Sequence, residues 1–133
     1  MTRSSWKLVA AALLATAVAC GKDNTGPVAG MLKVQLTVTP NSGLDGAVLF
    51  SVTGPVVPSA VGAGSGFRLF GTAAATTNTF AVTGTLSTNS VVMTLTVDDI
   101  TKVSQYSATV MSVASSSTYT LRTTTGYTLK VTK

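Results

Sequence analysis

From residue 32 to the C-terminus, runs of apolar side chains at alternate positions recur, and no window carries the i, i+3, i+4 stripe of an amphipathic helix. A period of two puts successive side chains on opposite faces of an extended strand, so each run buries one face and wets the other. Leu32, Val34, Leu36 and Val38 alternate with Lys33, Gln35 and Thr37, and Pro40-Asn41-Ser42-Gly43 ends the run. After Asp45-Gly46, residues 47–52 place Val48, Phe50 and Val52 in phase, and we read this as a strand paired with the first. Glycines and prolines make residues 54–66 a connection, residues 67–70 a short strand, and the Ala/Thr-rich residues 71–79 a second connection.

The clearest hairpin candidate joins residues 79–86, with Phe80, Val82 and Gly84 on one face, to residues 91–97, with Val91, Met93, Leu95 and Val97 on one face. Ser87 to Ser90, containing Asn89, supply its turn. Tyr106, Ala108 and Val110 share a face, but Val113 falls out of step, which either a bulge near Met111 or Ser112 or a strand end explains. Tyr119 and Leu121, then Tyr127, Leu129 and Val131, complete the pattern, and phase with apolar neighbours predicts burial for the three tyrosines in a core or an interface. Seven to nine short strands at spacings of about 8 to 15 residues predict an all-β fold: an antiparallel β-sandwich over residues 31–133, in preference to a barrel.

The first 20 residues, MTRSSWKLVAAALLATAVAC, follow another logic: Arg3 and Lys7, then an apolar stretch from Leu8 to Ala19 interrupted by Thr16, then small residues. A dozen apolar residues fall short of the roughly 20 that span a bilayer, so cleavage of a signal helix over residues 1–19 is expected. Ala17-Val18-Ala19-Cys20 resembles the lipobox of bacterial lipoproteins, with Ala17 where Leu is usual. That resemblance implies cutting between Ala19 and Cys20, a diacylglyceryl group on the Cys20 thiol, and an acyl chain such as palmitate on the new amine. Ala17-Val18-Ala19 also satisfies the small-x-small rule of the ordinary signal peptidase, which would release a soluble secreted domain. Cys20 is the sole cysteine, so it has no internal disulfide partner in an oxidising compartment, and lipidation gives the thiol a use.

Residues 20–30, with GKDNTGPVAG after the cysteine, read as a flexible tether, and Lys22 after Gly21 departs from the Asp-type signal that retains lipoproteins at the inner membrane. The expected location is therefore the cell envelope, at the outer membrane of an organism that has one. The stretches Asp45-Gly46-Ala47-Val48-Leu49-Phe50, residues 82–98 and Tyr106-x-Ala108-x-Val110 resemble small bacterial lipoproteins carrying one β-sandwich behind a lipobox. The run from Val82 is also similar to cohesin-type, immunoglobulin-like sandwiches, which are binding modules.

Residue types exclude several chemistries. The chain has no His and no Glu, and four Asp, at positions 23, 45, 98 and 99. A Ser/His or Cys/His nucleophile is thereby excluded, and zinc and haem sites lack ligands. Adjacent Asp98 and Asp99 point to opposite faces if extended, and Asp45 could join one of them at a Ca²⁺ ion only with backbone and Thr oxygens supplying most ligands. A pocket gathering Asp45, Asp98 and Lys102 would mark an enzyme. Gly62-Ala63-Gly64-Ser65-Gly66 lacks the helix that a phosphate loop requires.

Removing Arg3 and Lys7 lowers the formal charge from +5 to +3, with the remaining bases scattered singly, so no nucleic-acid footprint is expected. The sequence therefore points to no catalytic, cofactor or metal residues. It points to a non-enzymatic binding or structural module, anchored to a bilayer by acyl chains on Cys20, with a protein or glycan partner and the two connections at 54–66 and 71–79 as contact surfaces. Cys20→Ser should leave the protein unprocessed or soluble, since a hydroxyl cannot take the thioether-linked lipid. Mass spectrometry of the wild-type mature N-terminus should show the acyl mass, and its absence would leave the ordinary peptidase as the processing enzyme.

Overall fold

The computed structural model describes residues 26–133, and the expected signal helix and the Ala19-Cys20 cleavage site lie outside them. Nine strands form: β1 (Gly30–Val38), β2 (Asp45–Thr53), β3 (Ala60–Ala63), β4 (Arg68–Phe70), β5 (Thr77–Leu86), β6 (Ser90–Val97), β7 (Ser107–Ser115), β8 (Leu121–Arg122) and β9 (Thr128–Thr132). They build two antiparallel sheets, β3-β6-β1-β9 and β4-β5-β2-β7-β8, in the sandwich the alternation predicts. The inward faces close on each other: Leu32, Val34, Leu36, Leu95 and Val131 from one sheet meet Val48, Phe50, Phe80, Val82 and Val113 from the other in one buried core. Phe50 and Phe80 are cross-strand partners with ring centroids 6.0 Å apart, tilted by 39°. Such a pair adds about 0.5–1.5 kcal/mol beyond its burial.

Strand pairing departs from the expectation in two places. β1 and β2 are not partners but lie in opposite sheets, and so do the two arms of the expected hairpin, β5 and β6. Two strands that each bury one face can lie side by side or face to face, and the alternation is the same in both. The short 87–89 turn carries the chain across the sandwich, with Asn89 at φ +69, a backbone state that Asn tolerates better than most residues. The Asn89 N–H donates to Leu36 O at 2.6 Å and the Gly43 N–H to Leu86 O at 2.7 Å, so the 39–44 and 87–89 crossings interlock.

Bulges set which residues turn inward. In β7 the pairing with β2 slips between Leu49–Ser112 and Phe50–Val110, leaving Met111 as the extra residue and Val113 buried, so of the two readings of the misfit, a bulge or a strand end, the bulge is the one found. A second slip, in β6, runs against the expected phase. Val34 pairs with Met93 and Gln35 with Val91, so Val92 is the one buried while Val91 turns partly outward. The expected 54–66 connection contains edge strand β3, paired with β6 from Ala60–Thr96 to Ala63–Met93, and residues 77–79 of the second connection belong to β5. A 3₁₀ segment over Ile100–Gln105 leads into β7.

The connections sort to two ends. Residues 26–29, the 54–59 and 71–76 connections and the 3₁₀ segment lie at the end where β1 begins, here called proximal. The 39–44, 64–67, 87–89, 116–120 and 123–127 connections lie at the distal end, as the pairings Gly30–Val97, Thr53–Ser107 and Asp45–Leu86 require. Deleting Met111 should leave the domain folded and within about 1 kcal/mol of wild type, because loss of the extra residue leaves Val110, Ser112 and Val113 in unbroken alternation with both valines inward. Met111→Thr, at a half-exposed position, should stay within about 0.5 kcal/mol. Urea denaturation measures both, and a loss of several kcal/mol on deletion would show that β7 needs the bulge for more than accommodating the extra residue.

Candidate functional site

Most of the residues considered for chemistry are kept apart by the fold. Asp98, Asp99 and Lys102 sit at the proximal end and Asp45 at the distal end, roughly 25 Å away at 3.3 Å per residue along β1. They share no pocket and no cation site. No group of three His, Cys, Asp or Glu side chains comes together among the described residues. Asp99 acts locally, on the backbone around it. Its carboxylate accepts from the Thr101 N–H at 3.0 Å, capping the 3₁₀ segment, and from the Val28 N–H at 3.3 Å. The Thr101 hydroxyl, foremost, holds its pKa below the ordinary value. Together with the Ile100 N–H donating to Val28 O at 2.8 Å, these contacts fasten Val28, two residues ahead of β1, to the sandwich.

Asp45 is fully buried, and its carboxylate accepts from Arg122 Nε at 2.5 Å and from the Tyr127 hydroxyl. Asn41 Nδ2 in turn donates to the Tyr127 oxygen at 3.0 Å. A turn, β2, β8 and the start of β9 are thereby tied through one carboxylate. Burial, followed by the neighbouring Asp45, raises the Tyr127 pKa above 10.0, because ionising the phenol would place a second negative charge beside the first. Burial also raises Tyr106, with Asp98 and Asp99 adding to it. These tyrosines are buried as the phase of the sequence predicts.

Tyr119 is not. It is 69% exposed and Leu121 is 78% exposed, against the expectation of burial for both. The turn between β7 and β8 explains this: the hydroxyls of Ser115, Thr118 and Thr120 bond one another at 2.9–3.1 Å, and the Tyr119 N–H donates to Ser115 O at 3.1 Å. That network draws the turn tight and leaves Tyr119 at its apex with φ +52. A left-handed conformation costs an ordinary L-residue about 1–2 kcal/mol, and Gly or Asn would relieve it. An aromatic held there at a cost to the fold is a candidate for function.

Tyr119 forms one wall of a distal groove on the outer face of the five-stranded sheet, with a volume of about 430 Å³. Arg68 is the one charged side chain among its lining residues, Thr83, Thr85 and Ser116 contribute hydroxyls, and Gly46, Gly66 and Gly84 complete the lining. Two of these glycines are fixed by packing. A Cβ on Gly84, at φ +147, would lie 2.6 Å from the Phe67 ring, and one on Gly46 would lie 2.9 Å from Ser116 Cα. Beside it, Ala47, Leu49, Ala81, Ala114 and Leu121 line an apolar depression of about 170 Å³. Arg68 makes no ion pair among the described residues.

Sequence reasoning misses this groove, since it treats Arg68 as a scattered solubilising charge and the 62–66 glycines as a turn. The signal available is Tyr119 directly after Ser115-Ser116-Ser117-Thr118, a turn-forming run in which an aromatic has no strand to occupy. A cation, an exposed ring and several hydroxyls lining one groove can bind and orient a small polar ligand; the lining residues include no general base or nucleophile pair. Comparison with protein-family models, curated proteins and solved structures finds no match to this chain.

Because Tyr127 and Tyr106 keep their protons in the fold to higher pH than in the unfolded chain, stability should be level below pH 10.0 and fall as pH climbs through the folded pKa values. Tyr127→Phe should flatten part of that alkaline fall. It should also lower stability at neutral pH by about 2 kcal/mol, by removing a donor from a buried carboxylate. Urea melts from pH 6 to 11 test both.

Proposed function

We propose that this protein is an exported, lipid-anchored binding module, held to a bilayer through Cys20, whose sandwich displays the Tyr119 groove away from the membrane. One observation carries the reading: the tether enters at the proximal end, through Val28 and Gly30, while the groove lies at the distal end. Eight residues of the Gly-containing composition between Cys20 and Val28 correspond to a root-mean-square coil length of about 16 Å. Nine residues of strand add about 30 Å, so the groove stands some 45 Å from the anchored sulfur when the domain is upright. An exposed ring and a cation at the far end suit recognition. The separation of Asp45 from Asp98 and Lys102 removes the one acid/base grouping that would favour turnover.

The lipobox-like Ala17-Val18-Ala19-Cys20 supports the anchor, and Lys22 supports an outer rather than an inner membrane in a two-membrane cell. Two or three acyl chains exceed the single chain that binds only marginally, so attachment would be lasting. The proximal connections, including 71–76, become the membrane-side surface. Asn78 Oδ1 accepts from the Ala74 and Ala75 N–H groups, each at 2.9 Å, which makes that connection a self-contained turn and a weaker candidate for contact than the groove.

The two halves of the proposal separate by mutation. Wild-type protein should sediment with membranes, resist high salt, dissolve in detergent, and capture its partner from cross-linked cells. Cys20→Ser should lose sedimentation, and Tyr119→Asn should keep it while losing capture. A processed wild-type protein found wholly in the soluble fraction would replace anchoring with secretion, and capture unchanged by Tyr119→Asn would remove the groove from the function.

A further inference from the structure

We infer that the groove between Arg68 and Tyr119 binds a carboxylate-bearing saccharide, a uronic acid residue or a short oligosaccharide containing one. The inference rests on the binding-module reading and supplies its ligand.

The lining residues define what a ligand must present. Arg68 is the one charged side chain at the groove and has no ion pair among the described residues. The nearest carboxylate, Asp45, is buried beneath the sheet end and held by Arg122 and Tyr127. The local field is therefore positive, and a planar guanidinium matches a carboxylate through two parallel N–H bonds. Tyr119 offers a flat, exposed ring to an apolar ligand face, and a pyranose carries such a face of C–H bonds beside its hydroxyls. Thr83 and Thr85 each donate and accept, as sugar hydroxyls do, and Ser116, whose hydroxyl donates to Leu44 O at 3.0 Å, offers an acceptor. A volume of about 430 Å³ lies toward the lower end of small-ligand sites, about 300–1,000 Å³, and suits one or two rings.

Other ligands match fewer of these groups. A nucleic acid needs a row of cations, and the groove has one. A neutral sugar uses Tyr119 and the hydroxyls but leaves the guanidinium to water. An apolar peptide leaves the hydroxyls and Arg68 unused.

The test follows amide shifts of the ¹⁵N-labelled purified protein titrated with a disaccharide containing glucuronate, and with the same disaccharide carrying glucose in its place. Saturable shifts at Gly46, Gly66, Gly84 and Ser116 are expected with the acidic sugar, with affinity for the neutral one lower by about tenfold. Arg68→Gln should erase that difference. Tyr119→Asn, which keeps the left-handed backbone at low cost, should abolish binding of both sugars while distant amides stay unchanged. Equal wild-type affinity for the two sugars, a preference that survives Arg68→Gln, or no saturable shift with either would overturn the inference. The binding-module reading is judged separately, by Tyr119-dependent capture on membranes, so an acidic-sugar failure with intact capture sinks the ligand class alone.

Discussion

One buried carboxylate holds the distal end of this sandwich in register. The two sheets need little help to meet, because apolar faces on every long strand close on one another once the chain collapses. The ends are different: β8 contributes two residues, and from it the chain must cross from one sheet to the other to become β9. Asp45 fixes that crossing by accepting from Arg122 on one side and Tyr127 on the other, with Asn41 closing the group from the β1-β2 turn. A buried charge is tolerated when its partners are in place and is costly when one is removed. Geometry at the groove follows from this, since Gly46 comes directly after Asp45 and packs on Ser116, at the foot of the turn that raises Tyr119.

Much of the fold is legible in the sequence because burial and strand geometry share a period. Leu32, Val34 and Leu36, or Val48, Phe50 and Val52, announce both a strand and its inward face, whereas the misfit of Val113 leaves a bulge near Met111 or Ser112 and a strand end equally open, and the fold takes the bulge. Partnership is not legible. Placing β5 beside β6, or β1 beside β2, would bury the same side chains as setting them in opposite sheets, so no residue along them distinguishes the two. The slip at Val92 is hidden for a related reason: three consecutive apolar residues, Val91, Val92 and Met93, satisfy either phase.

The groove is less legible than the fold. Its parts come from four separated stretches, around residues 46, 66–68, 83–85 and 116–119, and each looks unremarkable alone. The spacing of Tyr119 from Leu121 points to a core, yet β8 starts only at Leu121, so no strand geometry governs Tyr119. Spacing carries information about burial only inside a regular element. Hydroxyl bonding among Ser115, Thr118 and Thr120 decides that residue's direction, and those bonds depend on a turn closure that alternation does not encode.

The bulge at Met111 bears on how copies of this domain would behave when crowded. Because β8 pairs only with Val113 and Ala114, β7 has no β8 partner for its backbone from Ser107 to Ser112, which is the kind of open margin through which β-proteins join into extended sheets. Met111 interrupts that margin with an extra residue and a local twist, spoiling the straight run of donors and acceptors a second copy would need. For molecules confined to a membrane in the proposed arrangement, where neighbours meet repeatedly in two dimensions, the same bulge that keeps Val110 and Val113 on one face also acts against sheet-to-sheet polymerisation.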